Sequence, residues 1–174
     1  LPALYALQRS AMLAGGAAAW QRFTVSALDG FGSQALAPVD LDGADPAPAG
    51  TGGIFIRHAD GQAHGGADRL ELFELDIDWA SPGNSSLSGP TVLATAAFDS
   101  SLCGRAAREC VPQPGTAVTL DPIREIVTWA PRYRRFESHE SIVGNFAVDT
   151  GSSNRAGIRW FELRRSGGSW ALHQ

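Results

Sequence analysis

Apolar and polar residues take turns over short stretches along most of this chain, and a period of two predicts strands rather than helices. The segments Ala3–Arg9, Trp20–Val25, Gly53–His58, Arg69–Trp79, Thr91–Phe98, Arg124–Trp129, Glu140–Asp149, Ala156–Arg165 and Ser169–His173 read as extended. They are rich in β-branched and aromatic side chains. In Arg69–Trp79 two faces compete. Glu71, Phe73, Leu75, Ile77 and Trp79 form the more apolar one and are expected to point inward, against Leu70, Leu72 and Glu74. Clusters of Gly, Pro, Asp and Ser separate the strands. Only Ser10–Leu13 suits a short helical turn. The expected class is all-β, made of antiparallel sheets.

A weak repeat adds an architecture. Leu4-Tyr5-Ala6-Leu7, Leu72-Phe73-Glu74-Leu75 and Trp160-Phe161-Glu162-Leu163 share one pattern: large apolar, aromatic, any residue, Leu. Each is followed by a loop and another strand, and after the first two comes a long Pro/Gly loop with a further strand. Blades of a β-propeller follow one another in this order. The steps exceed the ~40–50 residues of compact blades, and the long loops account for the excess. The expectation is a propeller segment of about two to three blades, with blade breaks near 38–52 and 99–122. A β-sandwich is the alternative arrangement of the same strands.

Composition narrows the context. With 174 residues, 44% hydrophobic and 18% charged, the chain is long and apolar enough for a real core. The net charge of -4 and the absence of a basic run exclude nucleic acid as an expected partner. No run approaches the ~18 apolar residues of a membrane span. Ala11–Ala19 is interrupted by Gly15 and Gly16 and is too short for a signal-peptide core. Strand pattern reaches both ends of the chain, which starts on Leu1, so the expectation is one segment of a larger domain with flanking blades on both sides. Cys103 and Cys110 form a lone pair in the loop segment Asp99–Pro114. No second Cys pair and no nearby His completes a zinc set. A local disulfide is expected, and with it an extracellular or cell-surface location.

Three stretches carry a resemblance: Leu120-Asp121-Pro122-Ile123-Arg124-Glu125-Ile126-Val127, His139-Glu140-Ser141-Ile142-Val143-Gly144-Asn145-Phe146 and Gly157-Ile158-Arg159-Trp160-Phe161-Glu162-Leu163-Arg164. Pro38-Val39-Asp40-Leu41-Asp42-Gly43 and Leu102-Cys103-Gly104 add to it. Together they make nearly the whole chain resemble a family of large secreted bacterial proteins that look like β-propellers, distantly sialidase-like at the level of fold. The resemblance implies a middle section of a propeller. It carries no activity and no functional residue to this chain.

Candidate chemistry is sparse. Asp40, Asp42 and Asp45 alternate around Gly43, as calcium-binding loops do. The EF-hand glutamate is lacking, Pro46 and Pro48 follow, and an ordinary Asp/Gly turn is the plainer alternative. Arg57 and His58 end Gly53–His58, expected as an inner strand lining a central channel. Arg57 there would hold a carboxylate, and His58, Asp60 and His64 would meet on the following loop. A solvated strand end is the alternative. Arg132, Arg134 and Arg135 flank Tyr133 and Phe136; the cluster suits a sugar acid or phosphate, or simply a turn with surface arginines. His139 and Glu140 are adjacent in a strand and so point to opposite faces, which argues against an acid–base pair. Neither a nucleophile elbow nor a phosphate loop occurs. Trp20, Trp79, Trp129, Trp160 and Trp170 fall inside strands and are assigned to core packing. The expected function is an extracellular binding or scaffold module taking a carbohydrate or protein ligand at blade-end loops. The alternatives are part of a glycan-directed hydrolase, whose retaining form needs carboxyls ~5 Å apart, and a structural piece of a cell-surface assembly.

Overall fold

The computed structural model describes residues 1–30, 34–105, 108–151 and 155–174. It is all-β, with three antiparallel sheets. Strands β1 (Ala3–Leu7) and β2 (Trp20–Thr24) form a hairpin, joined through a short helix α1 (Arg9–Leu13) where the helical turn is expected. The second sheet runs β3 (Ala37–Pro38), β4 (Gly53–Ala59), β5 (Arg69–Asp76) and β6 (Ser86–Ala94), with a helical turn α2 (Gly61–His64) between β4 and β5. The third sheet runs β7 (Thr128–Arg135), β8 (Glu140–Asp149), β9 (Ala156–Arg165) and β10 (Ala171–Leu172). Both four-stranded sheets are meanders in chain order.

The two meanders meet along their first strands. Asp40 N–H donates to the Pro131 carbonyl at 2.8 Å and Tyr133 N–H to the Asp40 carbonyl at 3.0 Å, a parallel bridge from the end of β3 to β7. Their facing sides build the main core: Ile54, Ile56, Leu70, Leu72 and Leu93 from one sheet, and Tyr133, Ile142, Phe146, Phe161 and Leu163 from the other. Gly144 is required here. Phe161 lies across from it, and a Cβ at Gly144 would sit 2.5 Å from the Phe161 ring. The β5–β6 register slips between Leu72 and Glu74, opposite Gly89 and Pro90. Gly89 has φ +113°, and Pro90 removes a ladder donor, so an irregularity belongs at this point.

Several expectations need correction. β5 is buried on both faces: Leu70 and Leu72 face the third sheet, while Glu71, Phe73 and Leu75 are buried on the opposite side. The segment Val25–Leu28 runs along that opposite side, beside Arg57, Glu71 and Phe73. The Pro/Gly-rich stretch 38–52 is not a break between sheets; it joins β3 to β4 within one sheet, and the sheets are divided by 25–36 and 95–127. Arg132, Arg134 and Arg135 belong to strand β7 rather than a turn. Trp170 is buried, but Trp20, Trp129 and Trp160 are among the most exposed apolar side chains. Being in a strand does not bury a side chain whose face has no neighbour.

Cys103 and Cys110 are disulfide-bonded, with Cα atoms 5.6 Å apart. The bridge closes a short loop between the two large sheets, so its entropic contribution is at most about 2–3 kcal/mol. Alkylation of the native protein is expected to label no thiol, and two thiols after reduction and unfolding; mass spectrometry reads the difference. Two labelled thiols without reductant would contradict the bridge.

Candidate functional site

Charged residues on the buried faces are consumed by one another. Arg57 and Glu71 pair across β4 and β5, both about 3% exposed. Arg57 Nε donates to Glu71 Oε2 at 2.7 Å and Nη2 lies 2.6 Å from the same oxygen. Arg57 Nη1 donates to the Ser26 carbonyl, and the guanidinium lies over the Phe73 ring. Arg69 Nε reaches Glu71 Oε1 at 2.8 Å. Arg57 is therefore a structural cation on an interior strand, not the carboxylate-binding end of a channel strand.

His58 also lies inside. Its ring stacks on Phe146 at 4.5 Å between centroids and meets Phe98 edge-on at 5.6 Å. Among the described residues neither ring nitrogen has a hydrogen-bond partner within normal geometry. Burial, and secondarily the charge of His64, push its pKa down to about 4, so it is neutral in the folded protein; Asp60 and the nearby Ile126 carbonyl oppose the shift less strongly. Asp60 is fully buried and caps α2: Oδ1 accepts from Gln62 N–H at 2.8 Å, while Oδ2 accepts from the N–H and hydroxyl of Ser100 at 2.8 Å each. His64 Nδ1 lies 2.6 Å from the Asp29 carbonyl. The three residues part in role: His58 and Asp60 hold the 98–100 segment through Phe98 and Ser100, while His64 turns to the Asp29 carbonyl. Asp68 adds to the anchor, accepting from Gly61 and Phe98 N–H groups.

At the opposite end of the same interface, Glu140 accepts from the Tyr133 hydroxyl at 2.6 Å and from Arg165 at 2.6 and 3.0 Å, and Arg165 also reaches Glu74 at 3.2 Å. The Arg165 hydrogen bonds hold the Glu140 carboxyl below its ordinary range, and burial together with Glu140 pushes the Tyr133 hydroxyl up to about 12. His139, in the turn before β8, lies on the other face. It stacks on Phe136 at 4.8 Å between ring centroids.

That outer face of the third sheet is open. Cross-strand register places Arg134, Ser141 and Arg164 in one row, Arg132, Val143 and Glu162 in the next, then Asn145 and Trp160, then Ala147 and Ile158. Toward the β7–β8 turn, Arg132, Arg134, Phe136, His139, Glu162 and Arg164 line a shallow groove of about 390 Å³. Glu162 forms its floor. It is fixed by Arg164 at 2.7 and 3.2 Å and by the Ser141 hydroxyl at 2.8 Å, and the Arg164 bonds lower its pKa. Arg132 pairs with Asp40. Among the described residues Arg134 donates to carbonyls, of Asp42 at 2.8 Å and Tyr133 at 2.7 Å.

The structure thus brings Arg132 and Arg134 together at one site and separates them from Arg57 and His58. Asp40 faces Arg132 and accepts from Asp42 N–H, while Asp42 and Asp45 point to solvent. Among the described residues no three His, Cys, Asp or Glu side chains stand together as a metal-ligand group, and none of their helices is long and apolar enough to cross a membrane. Arg164 and Glu162 were not singled out from the sequence. The signal for them is the alternation Trp160–Glu162–Arg164, which continues the face of Arg132 and Arg134 once the register is known. No protein-family model, curated protein or solved structure matches the chain.

The depressed His58 pKa gives a stability prediction with a definite sign. The unfolded chain takes up a proton below its ordinary pKa of 6.5, whereas the folded chain resists until about 4. Stability from this group is therefore full above pH 6.5 and is lost as pH falls toward 4, by about 3 kcal/mol at most. Chemical unfolding across this range is expected to show the slope, and His58→Phe to flatten it without loss at pH 7. An unchanged slope in His58→Phe would remove His58 as its source. Glu71→Ala, which strands buried Arg57, is expected to cost about 3–5 kcal/mol in the same assay.

Proposed function

We propose that the chain is an extracellular, non-catalytic binding or scaffold module whose two meanders are neighbouring blades of a propeller-like array. The observation carrying this reading is the junction of β3 with β7. Two four-stranded sheets of the same strand order pack face to face on one core, with the end of β3 parallel to β7, and a propeller repeats four-stranded sheets of this kind around its axis. The resemblance to secreted propeller-like proteins points the same way. The Cys103–Cys110 disulfide suits an oxidising compartment. The charged groups support a scaffold role, because Arg57–Glu71–Arg69 and Asp60–Ser100 tie buried segments together and Arg165 joins Glu140 to Glu74 across the two sheets.

The stack has two open sides. On the hairpin, Tyr5, Leu7 and Trp20 face solvent together; on the third sheet, Ile158 and Trp160 do so at the end of the face away from the groove. Apolar faces of this kind receive further sheets in an array and favour association when bare. Sedimentation velocity on the 174-residue chain is expected to show concentration-dependent association at micromolar protein. The double variant Ile158→Glu, Trp160→Glu should shift it to monomer with its melting temperature little changed. A cooperatively melting monomer of the unaltered chain would overturn the array reading.

A further inference from the structure

We propose that the groove at the β7–β8 end of the third sheet binds an acidic saccharide, a pyranose carrying a carboxylate. This deepens the binding-module reading and rests on it, but not on association of the open faces. The groove combines the two elements such a ligand requires. The first is an unbalanced positive charge. Among the described residues Arg132 pairs with Asp40, and Arg164 with Glu162, which Ser141 also engages, so both carboxylates are taken up. Arg134 is the guanidinium without a carboxylate partner among these contacts, since its hydrogen bonds go to two carbonyls. Those bonds fix its position without neutralising it, and a fixed guanidinium offers paired N–H donors that match a carboxylate. The positive groove stands out on a chain of net charge -4. Asp42 and Glu137 are on adjoining turns outside the groove lining.

The second element is a flat apolar surface beside the charge. Phe136 and His139 stack on each other at 4.8 Å with their planes 21° apart, which leaves the outer face of the pair open, and Phe136 is about half exposed. Ser138 Oγ lies 3.0 Å from His139 Nδ1 and steadies the imidazole. A pyranose laid on the pair would turn its C–H face to the rings, with its carboxylate toward Arg134. Its hydroxyls would reach Glu162 and Arg164, a donor–acceptor set of the kind that orients small ligands. The groove's volume falls within the ~300–1,000 Å³ of small-ligand sites. A bare inorganic anion would use the arginine and leave the aromatic pair without a role.

Isothermal titration of the 174-residue chain with tri-galacturonate, cellotriose and sodium phosphate tests this. Tri-galacturonate is expected to bind, more weakly as salt rises. Arg134→Ala and Phe136→Ala should each weaken it at least tenfold. Cellotriose and phosphate should bind at least tenfold more weakly, and Arg22→Ala, on the far hairpin, should change nothing. Absence of tri-galacturonate binding at millimolar concentration would overturn the proposal. So would phosphate binding as tight as tri-galacturonate, with Phe136→Ala silent. Cellotriose binding equally well, with Arg134→Ala silent, would overturn the acidic class while leaving a binding module. Association that persists in every variant while no saccharide binds would leave only the scaffold.

Discussion

The middle of strand β5 is buried on both faces, and the charge of Glu71 there must therefore be paired inside the protein. An uncompensated ion there would cost several kcal/mol. Glu71 on one face draws Arg57 and Arg69 to it, and Glu74 on the other draws Arg165 from the neighbouring sheet. The pairing Arg57–Glu71 is also the cross-strand partner assignment of β4 and β5. A one-residue slip of β5 would turn Glu71 onto the face that packs against the other sheet and leave Arg57 without its partner. The ion pairs thus select a register that apolar side chains, available on both faces of β5, would specify less firmly.

The same rule sorts the arginines by role. Those on inward faces, Arg57 and Arg165, meet carboxylates: Arg57 is buried against Glu71, and Arg165 joins Glu140 to the partly exposed Glu74. Those on the outward face of β7 and β9 are positioned by carbonyls, by edge carboxylates and by one another's neighbours. Alternation along a strand assigns successive residues to these two classes: Tyr133 enters the core while Arg132 and Arg134 leave it, and Leu163 enters while Glu162 and Arg164 leave. The groove is a by-product of sheet geometry that the turn residues Phe136 and His139 complete.

Much of the strand content was legible, because alternation and β-branched residues are local signals. The all-β class, the helical turn near Ser10–Leu13 and the disulfide all follow from such signals. What stayed hidden was relational. Ala37–Pro38 is too short to show a period, so the loop after it looked like the end of a blade although it lies within a sheet. Arg132–Arg135 looked like a turn, because charged outward positions hide the single core residue between them. The tryptophans looked like core because they sit in strands, yet Trp129 and Trp160 stand on surfaces with no covering layer. His58 read as the end of a channel strand, because nothing local announces that Phe98 and Phe146 close over it.

The chain passes from the second sheet to the third once, through 95–127, and that passage is fastened to both. Phe98 N–H is held by Asp68 and Ser100 by Asp60, while the Asp99 carbonyl accepts from Asp149 N–H at 2.7 Å and the Ala97 carbonyl from Arg159. In mechanical terms this stretch is a rivet rather than a hinge. A load that pries the sheets apart is carried here by several short hydrogen bonds acting in parallel, and at the opposite end by the Asp40 bridge to β7 together with Arg165 on Glu74. Held at both ends, the pair would resist peeling and should part only when both fastenings fail together.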